Sequence, residues 1–371
     1  MRRIRTTLGC AVILLLLTAC AAGKDKKAEE AAKAEAFQRS RTLYADAALI
    51  EKESVPGEAR VPEENGQGAE EEQDPDFDIP FLGFDPGPAG LIKDSYILDE
   101  AHGEVFAWYP DDLVPGETYP LVLALNCTNG NPEAEVRTNG WDVVAREDRL
   151  IVVSPNYNDS VTHPEAAYIK SVVDDAINRF PVDTQRIYST GFSNGGAFSA
   201  VLAGTYPGLF AGIAGMGWLD ALPDAASAPM TPFVLIQGSQ ENPTTTASGA
   251  TAVIDDEKNG IRDLFACNGI YSTATTPDYD VTPYWGYVPE SVEVLYPFYT
   301  ESDPFGYGAH FVSGVKWTIS CYTTPGYRYP TAKLILVDGA GHVPHTFSAR
   351  IAWNTLKHFR RLPDWTIVEE D

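Results

Sequence analysis

The chain has 371 residues, of which 44% are hydrophobic and 21% are charged, a composition that excludes a wholly disordered protein. Its 52 Asp and Glu residues against 27 Lys and Arg residues give a formal net charge of −25. A surface this acidic repels phosphate backbones and anionic lipid headgroups, so nucleic acid is excluded as a partner and a basic patch is excluded as a membrane anchor.

Residues 1–19 have the pattern of a signal peptide. Arginines near the N-terminus precede an apolar run, residues 11–17, which is too short to span a bilayer. The run ends in Leu-Thr-Ala-Cys, which resembles the lipobox of bacterial lipoproteins, where the cysteine is lipidated. The sequence therefore predicts export and a lipid anchor on Cys20 as the sole membrane attachment. Ala21 after the cysteine favours the outer membrane or cell surface.

Residues 20–80 differ in composition from the rest of the chain. Ala, Glu and Lys dominate the first part, and an acidic run follows at residues 63–72. Such a segment buries too little apolar surface to offset the entropy of ordering it. We expect an acidic, disordered tether here, and a folded domain over residues 81–371.

Within the domain, apolar runs alternate with helical patterns. The runs are continuous, which indicates strands buried on both faces and hence a mostly parallel, doubly wound sheet flanked by helices. Strands are predicted at 121–125, 150–153, 233–236 and 334–337, with an edge strand at 104–109, and helices at 164–179, from 195 to before Pro207, and at 348–361.

A Gly-x-Ser-x-Gly motif, Gly191-Phe192-Ser193-Asn194-Gly195, lies between a predicted strand and a predicted helix. In this context the serine sits on a sharp turn with its hydroxyl exposed above the sheet, and glycines avoid collisions around it. The motif predicts that Ser193 is a nucleophile. The alternative is a Gly-Ser turn without chemistry.

The segments 182–188 and 191–196 resemble the secreted esterases of the polyhydroxybutyrate depolymerase and feruloyl esterase group. Residues 120–125 resemble the strand that leads into the oxyanion segment of that group, and residues 141–155 resemble the helix and strand that follow. The resemblance covers about residues 90–360. It implies an α/β-hydrolase fold and a catalytic domain that hydrolyses esters.

A serine needs a base that takes its proton, and in this fold the base follows the last strand. His342, in Gly339-Ala340-Gly341-His342, occupies that place and resembles the Gly-x-Gly-His of the family. His345 is the alternative base. The two histidines lack a third ligand for a metal, so we expect neither a metal nor a cofactor.

The acid that orients the histidine follows an earlier strand. Where the family has His-Gly-Thr-x-Asp, residues 237–241 read Gln-Gly-Ser-Gln-Glu, so Glu241 occupies the position of the aspartate and Gln237 that of the histidine. Asp220, in an earlier loop, is the alternative acid.

The oxyanion hole requires backbone N–H groups near the nucleophile. Asn194, which follows Ser193, supplies the first. Matching residues 126–130 to the His-Gly-Cys segment of the family places Cys127 at its glycine and Thr128 at the second donor. The missing glycine puts the backbone path of this loop in question.

The remaining cysteines, Cys267 and Cys321, form an even pair in an exported domain, and the family has cysteines in comparable places. We therefore expect a disulfide that staples an aromatic-rich excursion before the last strand. Its rings either bind a polymeric substrate or pack the excursion itself.

These features predict a serine esterase acting through an acyl-enzyme on polyhydroxyalkanoate oligomers or on feruloyl or acetyl esters of polysaccharide. The partner is then an ester substrate, free or polymeric. Two alternatives remain: a catalytically impaired hydrolase fold that serves as a surface binding lipoprotein, and a serine peptidase of the same fold.

Overall fold

The computed structural model describes residues 90–241, 260–271, 287–301 and 310–370. The predicted signal peptide, the tether with Cys20 and the first residues of the domain, 81–89, lie outside the described residues. Within the described ranges, no helix has both the length and the apolar character required to cross a membrane.

The described part of the domain alternates strands with helices, as the apolar runs predict. The strands are β1 (Leu91–Asp99), β2 (Gly103–Pro110), β3 (Tyr119–Leu125), β4 (Ile151–Pro155), β5 (Val182–Phe192), β6 (Gly212–Met216), β7 (Phe233–Gly238), β8 (Ser291–Leu295), β9 (Tyr299–Glu301), β10 (His310–Val312), β11 (Trp317–Tyr322), β12 (Ala332–Val337), β13 (Phe359–Arg361) and β14 (Ile367–Glu369). The helices are α1 (Pro132–Thr138), α2 (Trp141–Asp148), α3 (Ala166–Arg179), α4 (Asn194–Thr205), α5 (helical residues 260–267) and α6 (Ser348–Leu356).

Ten of these strands form one sheet, in the order β1-β2-β4-β3-β5-β6-β7-β12-β11-β8. The strands from β4 to β12 in that order pair in parallel, and both edges of the sheet are antiparallel. All residues of β3, β4 and β6 are buried, because helices cover these strands and leave no solvated face. The predicted parallel sheet with flanking helices is confirmed.

Apart from ends that shift by one or two residues, two features differ from the prediction. The predicted edge strand is β2, but β1 pairs outside it, so β2 lies one position in from the edge. The predicted helix at 348–361 ends at Leu356, since residues 359–361 pair as β13 with β14. Tertiary pairing overrides the helical pattern there because Arg361 is buried and donates to the carbonyl oxygens of Phe210, Met230 and Trp365.

The predicted disulfide is wrong. Cys267 and Cys321 are both thiols and are not bonded to each other. The Cys267 Sγ atom lies 3.2 Å from Leu264 O within its own helix, α5. Cys321 lies in the interior of the sheet, in β11, between β8 and β12. Counting cysteines predicted a pair, but the count carries no information on where each side chain points.

Aromatic side chains pack against each other in the region where the disulfide was expected. The Phe265 ring stacks on Tyr287 at 4.2 Å between centroids and meets the edge of Tyr322 at 4.8 Å. Tyr296 and Phe298 are exposed. The described part of the excursion therefore contains rings of both expected kinds, some packed in the core and some on the surface.

Candidate active site

Ser193 sits on a strained turn between β5 and α4. Its backbone has φ 54° and ψ −118°, a conformation that L-residues avoid unless the surroundings enforce it. A Cβ atom at Gly191 or Gly195 would lie 2.3 or 1.8 Å from the carbonyl oxygen of Leu125, so only glycine fits at either flank. The Ser193 N–H donates to Met216 O at 2.7 Å and fixes the turn to β6. Strand, turn and helix have the arrangement of the nucleophile turn of α/β-hydrolases.

Glu241 and His342 lie together at the carboxyl ends of two adjacent parallel strands. Glu241 follows β7 and His342 follows β12, and these strands pair up to Gly238 and Val337. His342 Nδ1 lies 2.7 Å from Glu241 Oε2, while Glu241 Oε1 accepts the N–H of Gly238 at 2.7 Å. The carboxylate is therefore held by the backbone and in turn holds the ring.

His342 also contacts the residue that precedes Ser193. Its ring lies 4.7 Å from the ring of Phe192, between centroids. No direct hydrogen bond joins the Ser193 hydroxyl to His342 in the described residues, and catalytic bonds of this kind are commonly long before substrate binds. The structure thus brings the predicted base and the predicted acid together and places the ring of His342 beside the turn that holds Ser193.

His345, the alternative base, faces the core. It is only 3% exposed and its ring lies 5.2 Å from Tyr299 and 5.4 Å from Trp317. Burial lowers the pKa of His345 to about 4, so the ring is neutral at ordinary pH. These contacts indicate a packing residue.

Asp220, the alternative acid, is engaged with other side chains. Its Oδ2 lies 3.4 Å from His163 Nε2, and its Oδ1 accepts the indole N–H of Trp218 at 3.1 Å. Of the two acids that the sequence offered, Glu241 is therefore the one beside His342.

The loop after β3 and the residue after Ser193 are joined by Asp159. The Asp159 carbonyl oxygen accepts from Asn194 Nδ2 at 2.7 Å and from Thr128 Oγ1 at 3.5 Å. The Asp159 carboxylate accepts the backbone N–H of Asn129. The side chains of Asn194 and Thr128, the two residues predicted to supply oxyanion donors, thus donate to the same carbonyl oxygen, that of Asp159. The sequence analysis missed this role of Asp159.

Cys127 is buried in this loop, and its thiol is not a competing nucleophile. Burial, with a smaller contribution from Glu135, raises the pKa of Cys127 to about 12, so no thiolate forms at neutral pH. The described residues contain no group of three or more His, Cys, Asp or Glu side chains arranged to hold a metal ion.

Sequence reasoning also missed Glu135, which is buried behind the nucleophile turn. It lies on α1, a helix of seven residues that is too short to show a clear apolar period. Its Oε1 accepts the backbone N–H of Phe192 at 3.0 Å. In so acidic a chain, no sequence signal separates this glutamate from the exposed ones.

Known proteins match the region around this site. Residues 155–262 match the family described as Esterase PHB depolymerase, a range that includes Ser193 and Glu241 and ends before His342. Poly(3-hydroxyalkanoate) depolymerase C of Paucimonas lemoignei is 34% identical over 112 residues, 26% of this chain and 27% of that protein. The bifunctional acetylxylan esterase/xylanase XynS20E of Neocallimastix patriciarum is 24% identical over 102 residues, 26% of this chain and 15% of that protein.

Among solved structures, an acetyl xylan esterase from Aspergillus awamori is similar at 16% identity with a TM-score of 0.42, over 68% of this chain and 94% of that one. The chain spans less than a third of the length of the two curated relatives. Around the nucleophile turn, the predicted resemblance to the esterases of the polyhydroxybutyrate depolymerase group is confirmed.

Proposed function

We propose that this protein is a serine esterase that hydrolyses carboxylic esters through an acyl-enzyme on Ser193. One observation carries the proposal: His342 Nδ1 lies 2.7 Å from Glu241 Oε2, and the His342 ring contacts Phe192, the residue before a serine held in a strained strand-to-helix turn. A base that is oriented by a carboxylate and lies near a serine on such a turn is the arrangement that nucleophilic hydrolysis requires. The match to esterases and depolymerases supports the same chemistry.

In the proposed mechanism, His342 Nε2 takes the proton of the Ser193 hydroxyl as its oxygen attacks the ester carbonyl carbon. The His342 Nδ1–H donates to Glu241, which stabilises the imidazolium. The backbone N–H groups of Asn194 and Thr128 stabilise the oxyanion. His342 then gives its proton to the departing alcohol. Water, deprotonated by the same ring, releases the acid and restores Ser193.

The proposed substrates are polyhydroxyalkanoate oligomers, or feruloyl or acetyl esters of polysaccharide. The two similar proteins, one named as a depolymerase and one as an acetylxylan esterase, support both classes. The exposed rings of Tyr296 and Phe298 offer flat apolar surface on the same domain. Rates on 3-hydroxybutyrate oligomers, acetylated xylan and methyl ferulate would rank these classes.

Hydrolysis of p-nitrophenyl acetate and butyrate tests the proposal. Ser193→Ala is expected to reduce kcat by more than about 10³-fold, because it removes the nucleophile. Ser171→Ala, in which an exposed hydroxyl on α3 is lost, is the matched control and should leave kcat unchanged. Wild-type protein that is no faster than Ser193→Ala would contradict the proposal and favour a binding role. Faster cleavage of a peptide p-nitroanilide would favour a peptidase.

We also propose that lipid on Cys20 anchors the domain to the bacterial membrane, with residues 20–80 as its tether. The support is the lipobox-like sequence and the acidic composition of the segment that follows. In detergent phase partition, the full chain expressed in a bacterium should enter the detergent phase and Cys20→Ala should not. Equal partition of both would contradict the anchor.

A further inference from the structure

A fully buried carboxyl group, that of Glu135, lies behind the Ser193 turn and has no part in the mechanism above. The residue is 3% exposed and belongs to α1, which begins directly after the loop at residues 126–130. Its Oε1 accepts two hydrogen bonds, from Phe192 N at 3.0 Å and from Asn139 Nδ2 at 2.8 Å. Isolated carboxyl groups are rarely buried, because desolvation disfavours them strongly unless their polar atoms are bonded.

The hydrogen bond from Phe192 to Glu135 lies at the end of a strand pairing, and this position indicates what the bond does. The β3–β5 ladder ends at the pair Leu125–Gly191, one residue before Phe192. On its other side, β5 still pairs with β6 through Phe192 and Met216. The Glu135 carboxyl group therefore supplies an acceptor where β3 has ended, and the last residue of β5 is bonded from both sides.

The next residue is the strained one. The Ser193 N–H donates to Met216 O at 2.7 Å, which holds the turn on the β6 side. Glu135 holds the turn on the β3 side, through the backbone N–H of Phe192, the residue before Ser193. A conformation with φ 54° persists only where the surroundings over-determine it, and these two bonds do so from opposite directions.

We infer that Glu135 is a positioning residue that fixes Ser193 through the backbone N–H of Phe192, an inference that rests on the proposed function of Ser193. The Phe192 ring also lies 4.7 Å from the His342 ring, so a shift of this residue displaces the nucleophile and the base together. A misplacement of about 1 Å in a catalytic group costs about 100-fold in rate.

Glu135 performs this role as a neutral acid. Burial raises the pKa of Glu135 to about 8, so the carboxyl group is mostly protonated at pH 7 and accepts through its carbonyl oxygen. The side chain of Glu135→Gln has the same shape and keeps that acceptor. Glu135→Met fills a similar volume and has no acceptor for the Phe192 N–H.

The two variants give the test, measured on the full chain at 25 °C with p-nitrophenyl butyrate. Glu135→Met is expected to lower kcat about 100-fold with KM within about twofold, since the chemistry is disturbed and the binding surface is not. Glu135→Gln should stay within about threefold of wild type in both constants. Should the Met variant fail to fold, Glu135→Asp, which cannot reach Phe192 without moving α1, carries the same expectation.

Asn268→Leu is the matched control for a loss of buried hydrogen bonds. Asn268 is 1% exposed and donates to Thr231 O and Leu264 O, near the amino end of β7, at the opposite end of the parallel strands from Ser193. This variant should lose thermal stability and keep its kcat. A Glu135→Met variant that keeps its kcat, or that loses it only as far as Asn268→Leu does, would overturn the inference.

Amide hydrogen exchange tests the bond without any substrate. The peptide that contains Phe192 should exchange faster in Glu135→Met than in wild type, and Glu135→Gln should retain the protection. Equal exchange rates of this peptide in wild type, Glu135→Met and Glu135→Gln would overturn the inference even if no ester hydrolysis were detected. If wild type does not hydrolyse esters but the exchange pattern is as expected, the result contradicts the proposed function and leaves the role of Glu135 intact.

Discussion

At the scale of single residues, the pairing of His342 with Glu241 depends on the absence of a side chain at Gly217. A Cβ atom there would lie 2.7 Å from His342 Cε1 and 3.3 Å from Glu241 Oε2. Gly217 also has φ +84°, which favours glycine in its own right. Glu241, whose side chain is longer than that of the aspartate implied by the family resemblance, lies against the space that this glycine leaves.

Replacing each of the two acids in turn distinguishes their roles. Glu241→Gln should lower kcat by about 10²–10⁴-fold, because the amide no longer stabilises the imidazolium and can reverse the preferred tautomer. Asp220→Asn should change kcat by less than about threefold, since that carboxylate lies against His163 and Trp218. Steady-state kinetics on a p-nitrophenyl ester measure both. A larger loss for Asp220→Asn than for Glu241→Gln would reverse the assignment.

The proximity of Glu241 and His342 was predictable because each lies in the loop after a buried strand, and the carboxyl ends of parallel strands meet at one edge of the sheet. Glu135 and Asp159 were not predictable. Their roles depend on contacts with residues 57 and 35 positions away, Phe192 and Asn194, and no local pattern encodes such contacts.

At the scale of elements, the loop between β3 and α1 makes its turn without a glycine at residue 127. Among the described non-glycine residues with positive φ, this loop contributes Asn129, at 55°, and Cys127 is absent from that set. Asparagine tolerates the left-handed region better than most residues. The Gly130 N–H closes the turn by donating to Cys127 O at 2.8 Å. The backbone of this loop therefore does not require glycine at residue 127.

Cys127→Gly is consequently expected to leave kcat within about threefold of wild type. The substitution relieves no backbone strain, because Cys127 does not have a positive φ. It also restores no oxyanion donor, because the proposed donor is the backbone N–H of the following residue, Thr128. Parallel kinetics of the two proteins measure the difference. A gain of about 100-fold, the size of one restored oxyanion donor, would mean that the native loop is compromised.

Elements with strong local signals were predicted well and those fixed by distant contacts were not. The strands β3, β4, β7 and β12 are continuous apolar runs, and the bounds of α3 and α4 follow from their flanking residues. The seven residues of α1 are too few for a periodic signal. The disulfide prediction failed because the number of cysteines does not encode their positions, and the contacts of Phe265 with Tyr287 and Tyr322 in the same region join residues far apart in sequence.

At the scale of the whole molecule, the buried side chains of Glu135 and His345 contribute opposite dependences of stability on pH. The pKa of Glu135 is raised from 4.5 to about 8, so folding favours its protonated form and stability falls as pH rises through that window. The pKa of His345 is lowered from 6.5 to about 4, so stability falls as pH drops through that window. The two slopes oppose each other between about pH 4.5 and 6.5.

Between pH 6.5 and 8 the raised pKa of Glu135 makes stability fall as pH rises. The titratable groups whose pKa responds to its charge, Cys127 and Tyr157, stay protonated there because burial raises both pKa values, that of Cys127 to about 12. We expect wild type to lose about 2 kcal/mol of unfolding free energy relative to Glu135→Gln across this interval, at about 1.4 kcal/mol per pH unit. Urea unfolding at pH 6.5, 7.2 and 8 measures the difference, and a difference independent of pH would contradict it.

Covalent labelling of the folded protein by a fluorophosphonate tests most directly whether Ser193 is the activated nucleophile. The reagent reacts with serines that a base activates and leaves a stable adduct, which peptide mass spectrometry locates. We predict one adduct, on the peptide that contains Ser193, forming at least about 10²-fold more slowly in His342→Ala. Labelling of a different serine, or none in folded wild-type protein, would contradict the assignment of this site as a serine esterase.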